Sequence, residues 1–96
     1  MTRTIRDSPE RSRYELLVDD AVAGFVDYRA GPGWIALTHT EVGPEYEGQG
    51  LAADLARHAL DDARARALRV RPTCAYITGF IRRNPAYADL AAVPGA

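Results

Sequence analysis

The chain has 96 residues, 47% hydrophobic and 26% charged, with a net charge of −1 and a pI of about 6.1. That length holds one domain near the lower limit for a self-sufficient core, and the acidic balance argues against a general nucleic-acid binder, which would carry a basic face. All twelve basic residues are arginine, so no lysine is available as a Schiff base or phosphate anchor.

The single cysteine, Cys74, requires no oxidising compartment. Residues 1–13 lack the apolar centre of a signal peptide, and no apolar run is long enough to span a membrane. A cytoplasmic protein is expected, with no membrane or nucleic-acid partner and no metal; the pattern carries no signal of oligomeric state.

In chain order, residues 1–12 read as a disordered, charged tail, and residues 13–96 as a single domain. Tyr14–Val18 (YELLV) is a short strand, and Asp19-Asp20 suits a hairpin turn. AVAGFVDY follows as a second strand, with Val22, Gly24, Val26 and Tyr28 on one face by period-two alternation. Ala30–Gly33 (AGPG) is turn chemistry. Trp34–Val42 (WIALTHTEV) is a third strand, rich in aromatic and β-branched residues. These three strands make an antiparallel meander.

From Leu51 the period changes. Apolar residues at 51, 52, 55, 56, 59, 60, 63 and 67 draw the stripe of an amphipathic helix. Asp54 near its start and Arg64 and Arg66 near its end suit the helix dipole, and Asp62 with Arg66 forms an i,i+4 pair. LRVRP then reads as a fourth strand, stopped by Pro72 and parallel to the third. Ile77, Phe80 and Ile81 mark a short helix despite Gly79. Asn84-Pro85 ends it and opens another turn, with Asn as N-cap and Pro as the first helical residue. Tyr87 and Leu90 pack back, and AAVPGA frays. The expected class is α+β: a mixed sheet of about four strands, a meander followed by strand–helix–strand, with covering helices.

Between the third strand and the long helix lies HTEVGPEYEGQGLA, His39 to Ala52. A strand ending in a glycine turn that opens a helix is a common anion site. Gly48 and Gly50 let main chain approach a ligand without a Cβ in the way. The first N–H groups of the helix lack intrahelical partners and lie at the positive end of the dipole. The alternative is that these glycines only make a tight connection. The kinase-type phosphate loop needs Gly-Lys-Ser/Thr, and neither Lys nor a hydroxyl stands at 51 or 52, which excludes nucleotide hydrolysis of that kind. The dinucleotide fingerprint and its doubly wound sheet are absent as well.

The loop resembles the pyrophosphate loop of the GNAT superfamily of acetyl-CoA-dependent N-acetyltransferases, Arg/Gln-x-x-Gly-x-Gly/Ala between a strand and a helix. The matching residues are Glu45, Tyr46, Glu47, Gly48, Gln49 and Gly50, with Glu45 standing where the pattern has Arg or Gln. From about Tyr14 to Leu90 the chain is similar to a small, single-domain GNAT-like family with HTEV, a GQG or GRG loop, P-x-C-x-Y and RHPEY in that order. Here these are His39–Val42, Gly48–Gly50, Pro72–Tyr76 and Arg83–Tyr87. In the last segment Asn84 replaces the family's His and Ala86 its Glu, so no catalytic acid or base is expected there.

The resemblance implies acetyl-CoA as co-substrate and an unidentified amine as acceptor. Val42, Glu47, Gly48, Gln49, Gly50, Leu51 and Ala52 would hold the cofactor, its arm lying where the third and fourth strands diverge. Glu41 and Val42 would then flank the thioester on one side and Cys74 and Tyr76 on the other. Glu41, at a partly buried strand end where a carboxyl can be raised toward neutrality, is the first candidate base, and His39 on the same strand face is the second. Tyr76 is a candidate proton donor to the leaving thiolate. Cys74 is either a small buried core thiol, or lines the thioester pocket, or accepts the acetyl group itself, for which a helix end, His39 or Glu41 would have to tune its thiol; lining is favoured over covalent catalysis. Arg82 and Arg83 are placed on a solvated helix face rather than at the phosphates. A CoA- or acyl-CoA-binding module without turnover is the alternative function.

Overall fold

Asp19 and Asp20 both take positive φ, 49° and 71°, the handedness that lets a two-residue turn follow the twist of the strands it joins. They link β2 (Arg13–Val18) to β3 (Ala21–Gly31), which continues through Pro32-Gly33 into β4 (Trp34–Val42). The computed structural model describes residues 2–91; AAVPGA lies outside them except for its first residue. After β4 come α1 (Leu51–Ala65), β5 (Arg69–Pro72) and α2 (Ala75–Arg83). β2, β3 and β4 pair antiparallel, and β5 pairs parallel to β4 from Trp34↔Arg69 to Leu37↔Pro72. The strand–helix–strand crossover thus has the expected sense.

The expected tail is in part a strand. β1 (Arg3–Ser8) pairs antiparallel with β2 from Arg3↔Val18 to Ser8↔Arg13, giving a five-stranded sheet in the order β1-β2-β3-β4-β5 instead of about four strands. RTIRDS lacks an apolar alternation because a polar edge strand is held mainly by cross-strand groups. Arg6 Nε and Nη2 both donate to Glu15 Oε1, at 3.1 and 2.9 Å, and Asp7 Oδ1 accepts from the Tyr28 hydroxyl at 2.6 Å.

Both helices lie on one face of the sheet, here the inner face. Tyr14, Leu16, Val26, Ile35, Leu37 and Val70 bury against Leu51, Leu55, Leu60 and Ile77 in a single cluster. Each fully buried leucine contributes about 2 kcal/mol. On β3 the expected phase is corrected: Gly24 faces Leu16 and Val22 faces Leu17, so Ala23 is the extra residue of a bulge. Ala23 is therefore buried in the cluster with Val26, and Val22 is 42% exposed. A second bulge lies on β4, where Asp27 faces His39 and Tyr28 faces Leu37, leaving Thr38 unpaired in the ladder.

At the end of α2, Asn84 caps backwards. Its Nδ2 donates to the Phe80 carbonyl at 2.9 Å, and it makes no side-chain cap to the Pro85–Tyr87 turn that follows. Leu90 is buried, and Arg64 ties this segment to α1 through Asp89 and the Ala86 carbonyl. Among the described residues no helix is long and apolar enough to cross a membrane.

Candidate functional site

β4 ends at Val42, and a short turn over Pro44–Tyr46 carries the chain to Gly48 and Gly50, with φ of 83° and 75°. A Cβ built on either glycine would meet no atom within 4 Å. Only the backbone conformation demands glycine there, and the space above the loop is open. The first helical bond of α1 runs from the Asp54 N–H to the Gly50 carbonyl at 3.1 Å, and Gly50 supplies no side-chain cap. The N–H groups of residues 48–53 therefore have no backbone acceptor among the described residues. Unpaired main-chain donors at a helix start, under open space, fit a phosphate or pyrophosphate group without any lysine.

Of residues 48–53, all except Gln49 border a cavity of about 190 Å³. Val42, Glu47, Gly48, Gly50, Leu51 and Ala52 line it, joined by Tyr46, Ala53 and, from the first turn of α2, Tyr76. Gln49 is not among its lining. The Gln49 carbonyl instead accepts from Arg3 Nη2 at 3.2 Å, while Arg3 Nη1 pairs with Asp54 at 3.1 Å. β1 thus fastens the loop, a role hidden in a segment read as a tail. Beside it, a shallow depression of about 450 Å³ runs between β1 and α1. Its ions are matched to one another, Arg3 and Arg57 both to Asp54, so it offers no comparable set of free donors.

β4 and β5 part after Leu37↔Pro72. The Cys74 N–H still reaches the Leu37 carbonyl at 3.1 Å, and the chain then turns into α2. Among the described residues, β4 from Thr38 to Val42 has a strand neighbour only on the β3 side. Cys74 stands at the N-cap of α2, 9% exposed, with Sγ 3.5 Å from the Thr40 hydroxyl. Burial pushes the Cys74 thiol up, but the Thr40 hydroxyl and the Ile77 and Tyr76 N–H groups outweigh it and hold the thiol below its ordinary range. Of the groups expected to tune it, the helix end is the one placed to do so.

Glu41 and His39 lie across the strand. The bulge at Thr38 leaves Thr40 on the inner face beside Cys74 and turns His39 and Glu41 outward. His39 Nε2 is 3.2 Å from Glu41 Oε1, with the two side chains 58% and 60% exposed. The partial burial expected of Glu41 is absent, because among the described residues no helix covers this side of the sheet. Glu41 borders a separate depression of about 120 Å³ with Val22, Phe25 and Gly43. The structure therefore brings Val42, Tyr76 and the loop together, places Cys74 beside Thr40 at the parting of the strands, and sets Glu41 with His39 on the outer face. Arg82 and Arg83 are exposed, and the Arg83 guanidinium lies 5.8 Å from the Tyr76 ring centre. Sequence reasoning passed over Thr40, although alternation within HTEV already opposes it to His39 and Glu41. Among the described residues no group of three or more His, Cys, Asp or Glu could hold a metal ion.

A strand thus parts from its parallel neighbour next to a helix start whose free N–H groups border a cavity. A family profile described as "GCN5-related N-acetyl-transferase" matches residues 13–90, and the chain belongs to that family. Among curated relatives it is similar to Protein NATD1 of Bos taurus, 45% identical over 51 residues, which are 53% of this chain and 45% of that protein. It is also similar to Protein NATD1 of Homo sapiens, 41% identical over 51 residues, 53% and 45% of the two chains. The match spans about half the length of these relatives. The fold is that of the solution structure of a GCN5-like protein from Staphylococcus aureus, with a TM-score of 0.70 over 91% of this chain and 85% of that one at 20% identity.

Proposed function

We propose that the protein is an acetyl-CoA-dependent N-acetyltransferase that passes the acetyl group directly to an amine. The observation that carries this reading is the run of unpaired N–H groups over residues 48–53, bordering a cavity shared with Val42 and Tyr76, in a chain of this family. The main chain of residues 48–53 would bind the pyrophosphate, and the free edge of β4 from Thr38 to Val42 would hydrogen-bond the pantetheine amides. Acetyl-CoA, when bound, supplies an activated thioester. Tyr76, which borders the same cavity, would protonate the departing sulfur.

Glu41, bridged by His39, would take the proton of the incoming amine from the outer face, directly or through water. The thioester would then lie in the gap between the strands, with the acceptor entering on the side of Glu41 and Cys74 lining the other. A second reading, in which Cys74 Sγ is itself acetylated before the amine attacks, is favoured by one observation, the lowered thiol beside Thr40. The test is a thermal-shift comparison of acetyl-CoA, CoA and ATP, followed by turnover with a panel of amines. Stabilisation by both CoA forms with acetylation of at least one amine supports the proposal. Stabilisation without turnover would identify a CoA-binding module instead.

A further inference from the structure

The outer face of the sheet carries an arginine corner in which no ion pair forms among the described residues; the nearest carboxylate along β3, Asp27, stands two residues from Arg29. Arg29 and Arg71 flank Ala36 on neighbouring strands, in the row Arg29↔Ala36↔Arg71, and Arg69 stands two residues before Arg71 on the same face of β5. All three arginines are exposed, and none makes an ion pair among the described residues. This contrasts with Arg6 and Arg13 farther along the same face, both paired with the buried Glu15. In a chain of net charge −1, three unmatched guanidiniums in one corner make a local cationic surface.

We propose that this corner docks an acidic polypeptide segment in extended conformation. Arg69 and Arg71 project from alternate residues of one strand, about 7 Å apart, and carboxylates at alternate residues of an extended peptide repeat at the same interval. Arg71 is already stacked, its guanidinium centre 4.3 Å from the Trp34 ring centroid. Stacking fixes the guanidinium plane and leaves its N–H edge free for a bidentate carboxylate. The indole itself is not available for a base to stack on. It packs against Gly31, where a Cβ would fall 2.5 Å from the ring atoms, while Arg71 occupies the ring as well. That disfavours a nucleic acid, whose recognition in single strands relies on such platforms. A second copy of this chain is disfavoured by like charge meeting like.

The row lies on the same strand face as His39 and Glu41, so a segment crossing it leads toward that pair. That the segment is the acetyl acceptor rests on the proposed function; the docking itself does not.

The experiment is fluorescence anisotropy with a dye-labelled eight-residue peptide of alternating Glu and Ser at low salt, with an oligothymidine of equal charge as comparison. The peptide is expected to bind, to weaken as salt rises, and to lose about tenfold in affinity in Arg29→Ala/Arg71→Ala, the order expected from removing charge-assisted contacts. Arg29→Glu, which leaves the Trp34–Arg71 stack intact, should lose at least as much while circular dichroism stays native. Gly50→Val in the loop should leave peptide binding unchanged even where it abolishes CoA binding, which separates this proposal from the transferase reading. Failure of the peptide to bind, equal binding by Arg29→Glu, tighter binding of the oligothymidine, or self-association through this face would each overturn it.

Discussion

Cys74 Sγ and Thr40 Oγ1 stand 3.5 Å apart at the parting of β4 and β5, on the face of the sheet opposite Glu41. Thr40, together with the start of α2, holds the Cys74 thiol below its ordinary range against the opposing effect of burial. A thiol lowered in this way forms thiolate at lower pH than free cysteine. The pH profile of Cys74 alkylation should therefore have its midpoint below that of a cysteine peptide, and Thr40→Val should move it upward. An unchanged midpoint in Thr40→Val would remove Thr40 as the cause.

The separation of Glu41 from Cys74 by the thickness of the strand gives the two residues distinguishable parts. With direct transfer, Glu41→Gln should keep acetyl-CoA binding and lower turnover by roughly 10²-fold, the usual range for a positioned base. Cys74→Ala should cost far less. If Cys74 carries the acetyl group, the order reverses, and mass spectrometry after incubation with acetyl-CoA alone would find a hydroxylamine-labile adduct. The chain has no lysine, so the terminal amine is the one other acylation site of consequence to exclude.

Gly50→Val should lose stability by about 1–2 kcal/mol, from forcing a β-branched residue to positive φ rather than from a clash in the free protein. Its larger effect should be on the ligand, because the new side chain rises into the open space above the N–H groups. Calorimetry should show CoA binding abolished while circular dichroism shows the fold retained. CoA binding at wild-type strength would mean that the turn is only a connector.

Glu15 is wholly buried on the outer face, and Arg6, Arg11 and Arg13 surround it. Burial alone would push its carboxyl up, but hydrogen bonds from Arg13 and Arg6 hold it below the ordinary value of 4.5. A depressed folded value contributes stability that is present above the unfolded value and is lost as the pH falls through the folded one. Wild type should therefore lose stability below about pH 4.5. Glu15→Gln should be less stable at pH 7 by about 1–3 kcal/mol, the cost of breaking a charged, hydrogen-bonded network. It should also show a shallower acid limb in chemical denaturation.

The parts of this molecule that were legible in the sequence are those with a periodic apolar pattern. β4 from Trp34 to Val42 and the stripe of α1 from Leu51 announce themselves by β-branched content and by period. β1 did not, because Arg3–Ser8 earns its place through Arg6–Glu15 and Asp7–Tyr28, contacts between residues distant in sequence. The phase of β3 failed at Ala23 because a bulge resets alternation without leaving a mark in composition. At the site, the glycine spacing pointed to the loop, and alternation kept His39 and Glu41 together. The opposition of Glu41 to Cys74 was not readable, since it depends on the bulge at Thr38 and on where β5 gives way to α2.

The claim that the main chain of residues 48–53 holds the cofactor is tested most directly by amide NMR of the ¹⁵N-labelled protein during titration with acetyl-CoA. Saturable shifts should appear at the amides of residues 48–53 and along Thr38–Val42 at up to about 1 mM ligand, with much smaller ones for ATP. No shift at residues 48–53 in that range, or shifts confined to the Arg57 and Asp61 side of the depression between β1 and α1, would contradict it.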